Sequence, residues 1–251
     1  FALGAILIAM TGASVLDAYY AMFRGAIFDP SARSFQRQIK PLTDSLFFSI
    51  PLVLGGLGLA LGFRAGLFNI GGKGQIIFGA LAAVWVGFAM DLPPVIHTLV
   101  ALLAAMVAGA LYAGIAGVLK AKTGANEVIV TIMLNSIATL ALGYILSKPS
   151  WQVPGSNQPQ TPKVADSAAF ARILDAPFKI HMGVFVALLA VIIFWWIIER
   201  STLGFEIRAV GANPEAARTA GISVGKITAI TMALSGAFLG LAGANEALGT
   251  V

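Results

Sequence analysis

Long apolar runs alternate with short polar connections along most of this chain. A helix needs about 20 apolar residues to cross the roughly 30 Å hydrocarbon core of a bilayer. One run, 76–90, reaches only about 22 Å as a helix. Either the glycine-rich stretch before it also enters the membrane, or this run is a half-span. The other runs predict spanning helices over 45–63, 93–119, 127–147, 182–198 and 226–244.

The remaining segments are shorter or more polar. Residues 1–10 look like the end of a span whose beginning is missing, and residues 14–24 carry apolar side chains on one helical face, which favours a helix at the membrane interface. Residues 29–40 and 148–180 are polar connections. We therefore expect an all-α, polytopic transmembrane helical bundle with a broken or re-entrant helix. We expect residues 1–251 to form a single domain that is a fragment of a longer protein.

Composition supports a membrane protein and excludes several chemistries. Hydrophobic residues make up 58% of the chain and charged residues 11%, against about a quarter charged in soluble domains. The net charge of +5 is scattered through the loops, as is usual beside membrane spans, so we expect contact with lipid and not with nucleic acid. There is no cysteine and no GxxxxGK[ST] loop. The only histidines, His97 and His181, fall near span ends, so we predict no metal site.

The polar segment 202–222 separates two apolar runs, and its residues predict a short capped helix outside the bilayer. Asn213 is a good N-cap, Pro214 suits the first helical position, and Glu215 places negative charge at the positive end of the helix dipole. Gly221 can close the helix at its other end. Such a helix adds little stability to a membrane protein, so it is either a docking surface or an ordinary capped loop helix.

A second unusual stretch, 64–75, brings glycine and polar residues to what we expect to be membrane depth. Irregular backbone is tolerated there only inside a protein or beside a water-filled cavity, and transporters use interrupted helices at such places to bind substrate. The alternative is a tight turn at the membrane interface. Glycines that would break a helix lie at Gly66, Gly71, Gly72 and Gly74, and polar side chains at Asn69, Lys73 and Gln75.

The span that begins near Glu127 holds a third candidate. Asn126 can cap this helix and Glu127 suits its first turn, which explains both residues without a functional role. Asn135 lies two turns deeper, where its amide must face another helix or a cavity. Small residues recur every four positions in two later spans, which predicts close helix packing. The 16 Lys and Arg residues divide evenly between the two predicted sides, so charge does not fix the orientation.

Several of these stretches, in this order, resemble the permease subunits of bacterial ABC importers, in the branch that carries nucleosides and simple sugars within the branched-chain amino acid and ribose-type permease superfamily. The likeness covers nearly the whole chain. The matching segments are GLALGFRAGLFNIGGKGQ at 58–75, TGANEVIVTIMLN at 123–135, LGFEIRAVGANPEAARTAGI at 203–222 and SGAFLGLAG at 235–243.

The resemblance implies a multi-pass protein of the bacterial cytoplasmic membrane that is not itself an enzyme. The segment 202–222 would be a cytoplasmic coupling segment that docks on an ABC ATPase, and the loop 148–180 would face an external substrate-binding protein. A second permease, identical or homologous, would complete the pathway. The chain itself would bind no cofactor, and ATP and Mg²⁺ would lie on the partner ATPase. The coupling residues would be Arg208, Asn213, Pro214, Glu215, Ala216 and Arg218.

The same likeness implies that the 64–75 stretch lines the translocation pathway near the membrane centre. Amides and aromatics suit neutral solutes better than charged groups do. One departure is Lys73, because relatives commonly have glutamate there, which leaves the role of this position open. A stand-alone ion-coupled transporter is one alternative; it needs buried ionisable groups, for which Glu127 and Glu246 are the main candidates. A purely structural or receptor membrane protein, which would transport nothing, is the other. The predicted pathway residues are Phe68, Asn69, Gly71, Gly74, Gln75 and Asn135.

Overall fold

The computed structural model describes residues 1–156 and 158–250, which form ten α-helices and a 3-10 turn at Pro149–Trp151. Six helices are long and apolar enough to cross a membrane, and a seventh span exists if the bent pair α1 and α2 counts as one. The predicted helical bundle is therefore confirmed. The helices are α1 Ala2–Met10, α2 Val15–Ala26, α3 Phe35–Arg64, α4 Gly72–Ala89, α5 Pro94–Thr123, α6 Glu127–Leu146, α7 Gly183–Arg200, α8 Thr202–Ala212, α9 Pro214–Thr219 and α10 Val224–Gly249.

Two helices, α3 and α4, begin a full turn or more before the start that the apolar pattern predicted. The helix α3 starts at Phe35, inside the stretch 29–40 that we expected to be a connection. Ser34 accepts the Arg37 N–H at 3.4 Å, and Lys40 pairs with Asp44 one turn further on, so the polar turns are stabilised locally. The helix α4 starts at Gly72 and its 18 residues span about 27 Å. Apolar runs mark the part of a helix that meets lipid, and helices extend beyond it.

The described residues form two compact units, of which the first contains Phe1–Ser49 and Ala171–Met182. Its helices α1 and α2 meet at a bend of 120°. In α2, Ser14 accepts the Asp17 N–H at 3.3 Å, which is an ordinary N-cap. His181 is 1% exposed and makes an edge contact with Phe47 at 5.3 Å between ring centroids. Burial lowers the pKa of His181 below its ordinary value, because desolvation penalises the charged ring.

This burial predicts an acid sensitivity of the first unit. The folded state favours neutral His181, whereas the unfolded chain takes up a proton once the pH falls through the ordinary pKa of 6.5. The stability of this unit should therefore be full above that pH and fall below it. We expect the thermal midpoint of the purified protein to drop between about pH 7.5 and 5.5, and His181→Gln to flatten that profile. An unchanged acid slope in His181→Gln would contradict this assignment.

The second unit contains Ile50–Phe170 and Gly183–Val251, and its centre is the packing of α10 against α4 and α5. Glycines bring these helices into backbone contact. A Cβ on Gly109 would lie 2.9 Å from Gly240 Cα, and one on Gly79 would lie 2.5 Å from the same atom. The predicted close packing of the small-residue stripes is confirmed. Helices pack this way in membranes because lipid supplies no hydrophobic force to hold them together.

The end of this unit that lies away from α9 is held by polar contacts. His97 is fully buried on α5, with Nε2 2.9 Å from the Val86 carbonyl oxygen and Nδ1 2.8 Å from Ser167 Oγ. The Phe170 N–H donates to the Leu248 carbonyl oxygen at 3.0 Å. These contacts anchor residues 164–170, part of the predicted loop 148–180, on the ends of α4, α5 and α10.

Candidate functional site

The chain turns back into the bundle directly after α3. The Gly66 N–H donates to the Phe63 carbonyl oxygen at 3.1 Å and the Leu67 N–H to that of Gly62 at 2.9 Å, which together end α3 in a Schellman motif. Gly66 has the positive φ of 71° that this motif requires. We call residues 67–71, which follow without helical structure, the return segment.

The return segment runs back alongside α3 into the protein interior. A Cβ on Gly62 would lie 3.2 Å from the Leu67 carbonyl oxygen and 3.9 Å from Asn69 Cβ. Asn69 and Gly71 are buried, as expected for irregular backbone at membrane depth. The expected interruption is thus a non-helical segment between two spanning helices, and the glycine-rich stretch does enter the bundle.

Asn69 is the centre of a buried hydrogen-bond network. Its Nδ2 donates to Gln75 Oε1 at 3.0 Å and to Ser235 Oγ at 2.9 Å. Its Oδ1 accepts from the Gly71 N–H at 3.0 Å and from Gln75 Nε2 at 2.9 Å. Ser235 in turn donates to the Gly58 carbonyl oxygen at 2.7 Å. The network therefore ties the return segment to α3, α4 and α10.

Asn135 holds the far end of the return segment from α6. Its Oδ1 accepts the Gly74 N–H and its Nδ2 donates to the Ile70 carbonyl oxygen, both at 2.8 Å. Asn135 lies about 12 Å along α6 from Glu127 at 1.5 Å per residue. Gly74 leaves no room for a side chain, since a Cβ there would lie 2.8 Å from the ring of Tyr112. At Gly71 a Cβ would lie 2.8 Å from Gln75 Nε2 and 3.0 Å from Thr131 Cβ, so a side chain there would have to displace the Gln75 amide.

The structure thus brings five of the six predicted pathway residues together around the return segment, in two hydrogen-bonded sets: Asn69, Gly71 and Gln75 in one, Gly74 and Asn135 in the other. We call these residues, with the residues that contact them, the cluster. Asn69 and Gln75 are only 4% and 1% exposed, and their amides bond mainly to each other. Phe68 is the sixth residue and is 51% exposed. Its N–H lies 3.5 Å from Glu127 Oε1, and Glu127 pairs with Lys120 at 2.6 Å. Lys73 is exposed. Substrate contact by these residues stays a prediction, and their observed role is to hold the return segment.

The sequence analysis missed three members of this cluster. Ser235 and Tyr112 lie on helices that are remote in the sequence, whereas Gly58 lies on α3, shortly before the return segment. Ser235 carried a weak signal, because it is a hydroxyl at the head of a small-residue stripe in a spanning helix. A polar side chain at that depth requires a partner, although the sequence does not say which one.

The segment 202–222, which we call the coupling segment, contains two helices and not one. The predicted capped helix is α9. Asn213 Oδ1 accepts the N–H groups of Glu215 and Ala216 at 3.0 and 3.1 Å, and Pro214 takes the first position. A Schellman motif closes the helix, since the Ile222 N–H donates to the Ala217 carbonyl oxygen at 3.0 Å and Gly221 has a φ of 85°. The predicted capping of α9 is confirmed.

Most of α9 faces solvent. Ala217 is the buried residue of the helix, at 4% exposure. Glu215 and Arg218 form a two-point ion pair at 2.9 and 3.0 Å on the exposed surface. The predicted coupling residues that share this exposed surface are Asn213, Pro214, Glu215, Ala216 and Arg218.

Arg208 has a different position from the other predicted coupling residues. It lies on α8, donates to the Ile198 carbonyl oxygen and lies 3.9 Å from Glu199. The helix α8 itself was not predicted. Its N-terminus is capped by Ser201, whose Oγ accepts the Gly204 N–H at 3.0 Å, and Gly204 allows it to pack closely on the end of α7. Arg208 therefore secures the α7–α8 junction.

Comparison with known proteins identifies one family and several relatives. The family described as branched-chain amino acid transport system permease component matches residues 42–251. The guanosine ABC transporter permease protein NupP of Bacillus subtilis (strain 168) is 44% identical over 99% of this chain and 69% of its own length. The glucose ABC transporter permease protein TsgB13 of Haloferax volcanii is 35% identical over 99% of the chain and 65% of its own length.

A second Bacillus subtilis protein, the guanosine ABC transporter permease protein NupQ, is 30% identical over 79% of this chain and 64% of its own length. This chain thus spans between 64% and 69% of the length of these three relatives. No solved structure matches it.

Proposed function

Because the chain belongs to the family of branched-chain amino acid transport system permease components, we propose that it is the membrane-spanning subunit of an ATP-driven importer for nucleosides or related simple sugars. It is a transport component of the cytoplasmic membrane and not an enzyme. The observation that carries the proposal is the joint presence in one unit of a return segment held by buried amides and an exposed, capped helix α9. The return segment suits a translocation pathway for solute inside the membrane, and α9 suits docking of a cytoplasmic partner.

The solute class rests on the relatives and on the chemistry of the cluster. The relatives are named for guanosine and glucose, both of which are neutral and rich in hydrogen-bonding groups. The cluster around the return segment consists of amides, a hydroxyl and aromatic rings. Within the cluster Asn135 is part-exposed, and the exposed ring of Phe68 lies beside the cluster on the return segment. Nucleosides are our first choice, because NupP, which is 44% identical to this chain, is named for one.

The proposed partners follow from the two ends of the second unit. A cytoplasmic ATPase that carries ATP and Mg²⁺ would bind the exposed face of α9, and an external binding protein would deliver the solute at the opposite end. The pair NupP and NupQ in one organism suggests that the second permease is a homologue and not an identical copy. Alternating access would follow from motion of the coupling segment when the ATPase closes.

The ion-coupled alternative receives no support from the acids that it would need. Glu127 is paired with Lys120 at 2.6 Å, and Glu246 is exposed. A buried carboxylate that takes up and releases a proton during transport requires a less neutralised environment than Glu127 has.

The double variant Pro214→Gly/Glu215→Gly tests the proposal. Pro214→Gly removes a fixed φ that suits the first helical position, at a cost of about 0.4–1 kcal/mol, and Glu215→Gly costs up to about 1 kcal/mol in helix propensity and removes the ion pair with Arg218. A loss of about 1.4 kcal/mol in the stability of α9 lowers the occupancy of the docked state about tenfold. We therefore expect ATP-driven nucleoside uptake to fall by about tenfold or more. The level of inserted protein should not change. The measurement is uptake into membrane vesicles, together with mass spectrometry of proteins retained by the tagged full-length protein in mild detergent.

The matched control makes the same kind of change in the predicted external loop, as Pro162→Gly/Lys163→Gly. Wild type and this control should retain an ATPase subunit that the α9 variant loses. If the α9 variant takes up solute as fast as wild type does, the docking role of α9 is refuted. A wild-type protein that purifies alone and takes up solute on a proton gradient without ATP would refute the importer itself.

A further inference from the structure

The C-terminal end of α8 lies directly against the turn that ends α3. A Cβ on Gly211 would overlap the carbonyl oxygen of Arg64 and lie 3.0 Å from the carbonyl carbon of Ala65. A Cβ on Gly66 would lie 3.6 Å from both the Cα and the carbonyl oxygen of Gly211. The two segments therefore touch through their backbones, without intervening side chains.

Both partners in this contact are locally rigid. The turn is fixed by the Schellman motif at Gly66, and α8 is fixed at its other end by Gly204 and Arg208 on the end of α7. A buried side chain can change rotamer when its neighbour moves, whereas two backbones in contact have no such freedom. A displacement of one partner is therefore passed on to the other.

The contact stands between the two functional elements of the chain. Gly211 lies two residues before Asn213, which caps α9, and the Asn213 N–H donates to the Ala209 carbonyl oxygen at 3.1 Å. On the other side, Gly66 is followed directly by the return segment, whose Asn69 bonds to Gln75 and Ser235. The path along the chain and its contacts from α9 to the Asn69 hydrogen-bond network is thus short and continuous.

We propose that the backbone contact between Gly211 and the turn at Arg64–Gly66 is the joint through which the coupling segment moves the return segment. Gly211 and Gly66 are then positioning residues for transport, and their lack of a side chain is what keeps the joint closed. This inference rests on the proposed importer function. It also goes beyond it, because it names where the motion of α9 enters the transmembrane bundle.

The test is Gly211→Ala in the full-length protein, reconstituted in proteoliposomes with its ATPase and paired permease. Guanosine uptake and ATP hydrolysis are measured in the same vesicles. The added methyl group separates α8 from the turn, so guanosine taken up per ATP hydrolysed should fall by at least about fivefold, as expected for loss of a coupling contact. ATPase binding and ATP hydrolysis should be retained, because α9 is not altered.

The matched control is Gly225→Ala, near the start of α10. A Cβ there would meet Ala121 Cβ at an ordinary 3.5 Å, so the ratio of uptake to hydrolysis should equal that of wild type. The ratio counts only the ATP hydrolysis in excess of that of the ATPase reconstituted alone. Both of its terms then scale with the amount of folded permease, so a merely structural role of Gly211 would leave the ratio unchanged. A second variant, Gly66→Ala, strains the other side of the joint and should lower the ratio in the same way.

Three outcomes are informative. A lowered ratio in Gly211→Ala and Gly66→Ala, with a wild-type ratio in Gly225→Ala, supports the joint. A wild-type ratio in Gly211→Ala or in Gly66→Ala overturns it, whatever the yield of the protein. Absence of ATP-driven uptake in the wild type overturns the proposed function instead, and so separates the two failures.

Discussion

Replacing Asn69 by leucine is expected to destabilise the protein strongly, because the Asn69 side chain takes part in four buried hydrogen bonds. The Gly71 N–H and both polar atoms of Gln75 would lose their Asn69 partners inside the bundle. Each buried group without a partner costs about 1–3 kcal/mol, although hydrogen bonds within membranes average closer to about 0.6 kcal/mol. Three such groups give an expected loss of about 2–5 kcal/mol. The measurement is thermal unfolding in detergent, followed by gel filtration.

The double variant Asn69→Leu/Gln75→Leu gives a sharper form of this prediction. Removing both partners of a buried hydrogen bond costs less than removing one, because fewer polar groups are left unsatisfied. The double variant should therefore be more stable than Asn69→Leu alone. The double-mutant cycle measures the coupling between the two amides, which we expect to be of the order of 1 kcal/mol. Additive effects of the two substitutions would show that the network is energetically unimportant.

Asn245 provides a control with the same side chain and similar burial. It is 3% exposed on α10, and its Nδ2 has no hydrogen-bond partner among the described residues. Asn245→Leu removes an amide that is already incompletely satisfied, so it should leave the stability unchanged or raise it. A loss equal to that of Asn69→Leu would mean that both reflect poor packing of leucine and not hydrogen bonding.

This network shows where sequence reasoning stops. The polar residues of 64–75 could be recognised as requiring partners, because amides at membrane depth are costly unless bonded. Their partner Ser235 is 166 positions away from Asn69, and no local rule connects the two. The apolar pattern alone predicts where the helices lie along the chain. Which faces of those helices meet depends on packing between segments that are remote in the sequence.

The coupling segment shows the same division within 21 residues. The signals for α9 are local: an N-cap at Asn213, a proline after it and a glycine at the end, and each has the predicted role. The helix α8 was missed because its stability depends on tertiary contacts. Gly204 and Gly211 are poor helix formers, and both are explained by the backbones against which they pack.

The position of the network also refines the meaning of the pathway residues. If Asn69 and Gln75 bound solute directly, transport would have to break their mutual hydrogen bonds in each cycle. Their geometry favours a bracing role instead, with recognition left to accessible groups such as Phe68. In that case substitutions of Asn69 should lower stability and uptake together, whereas substitutions of Phe68 should alter uptake alone.

Replacing Gly236 by alanine is the second change with a large expected effect. Its Cβ would overlap the Gly109 carbonyl oxygen and Ala113 Cβ, and lie 2.8 Å from the Gly109 carbonyl carbon. Alanine favours helix over glycine by about 1 kcal/mol, but overpacking of this kind costs about 1–3 kcal/mol. The overlap should prevail, because the obstructing atoms belong mainly to backbone and cannot move aside by a rotamer change. We expect a lower thermal midpoint, and a still lower one for Gly236→Val.

Gly114→Ala on α5 is the matched control, and the expected effect has the opposite sign. A Cβ at Gly114 meets nothing within 4 Å, so only the gain in helix propensity remains and the midpoint should rise slightly. Gly236→Ala/Ala113→Gly should recover part of the loss, because it removes one of the two overlapping partners. Equal midpoints for Gly236→Ala and Gly114→Ala would show that α5 and α10 do not approach as closely as this structure places them. The packing of α4, α5 and α10 around the return segment would then need to be reconsidered.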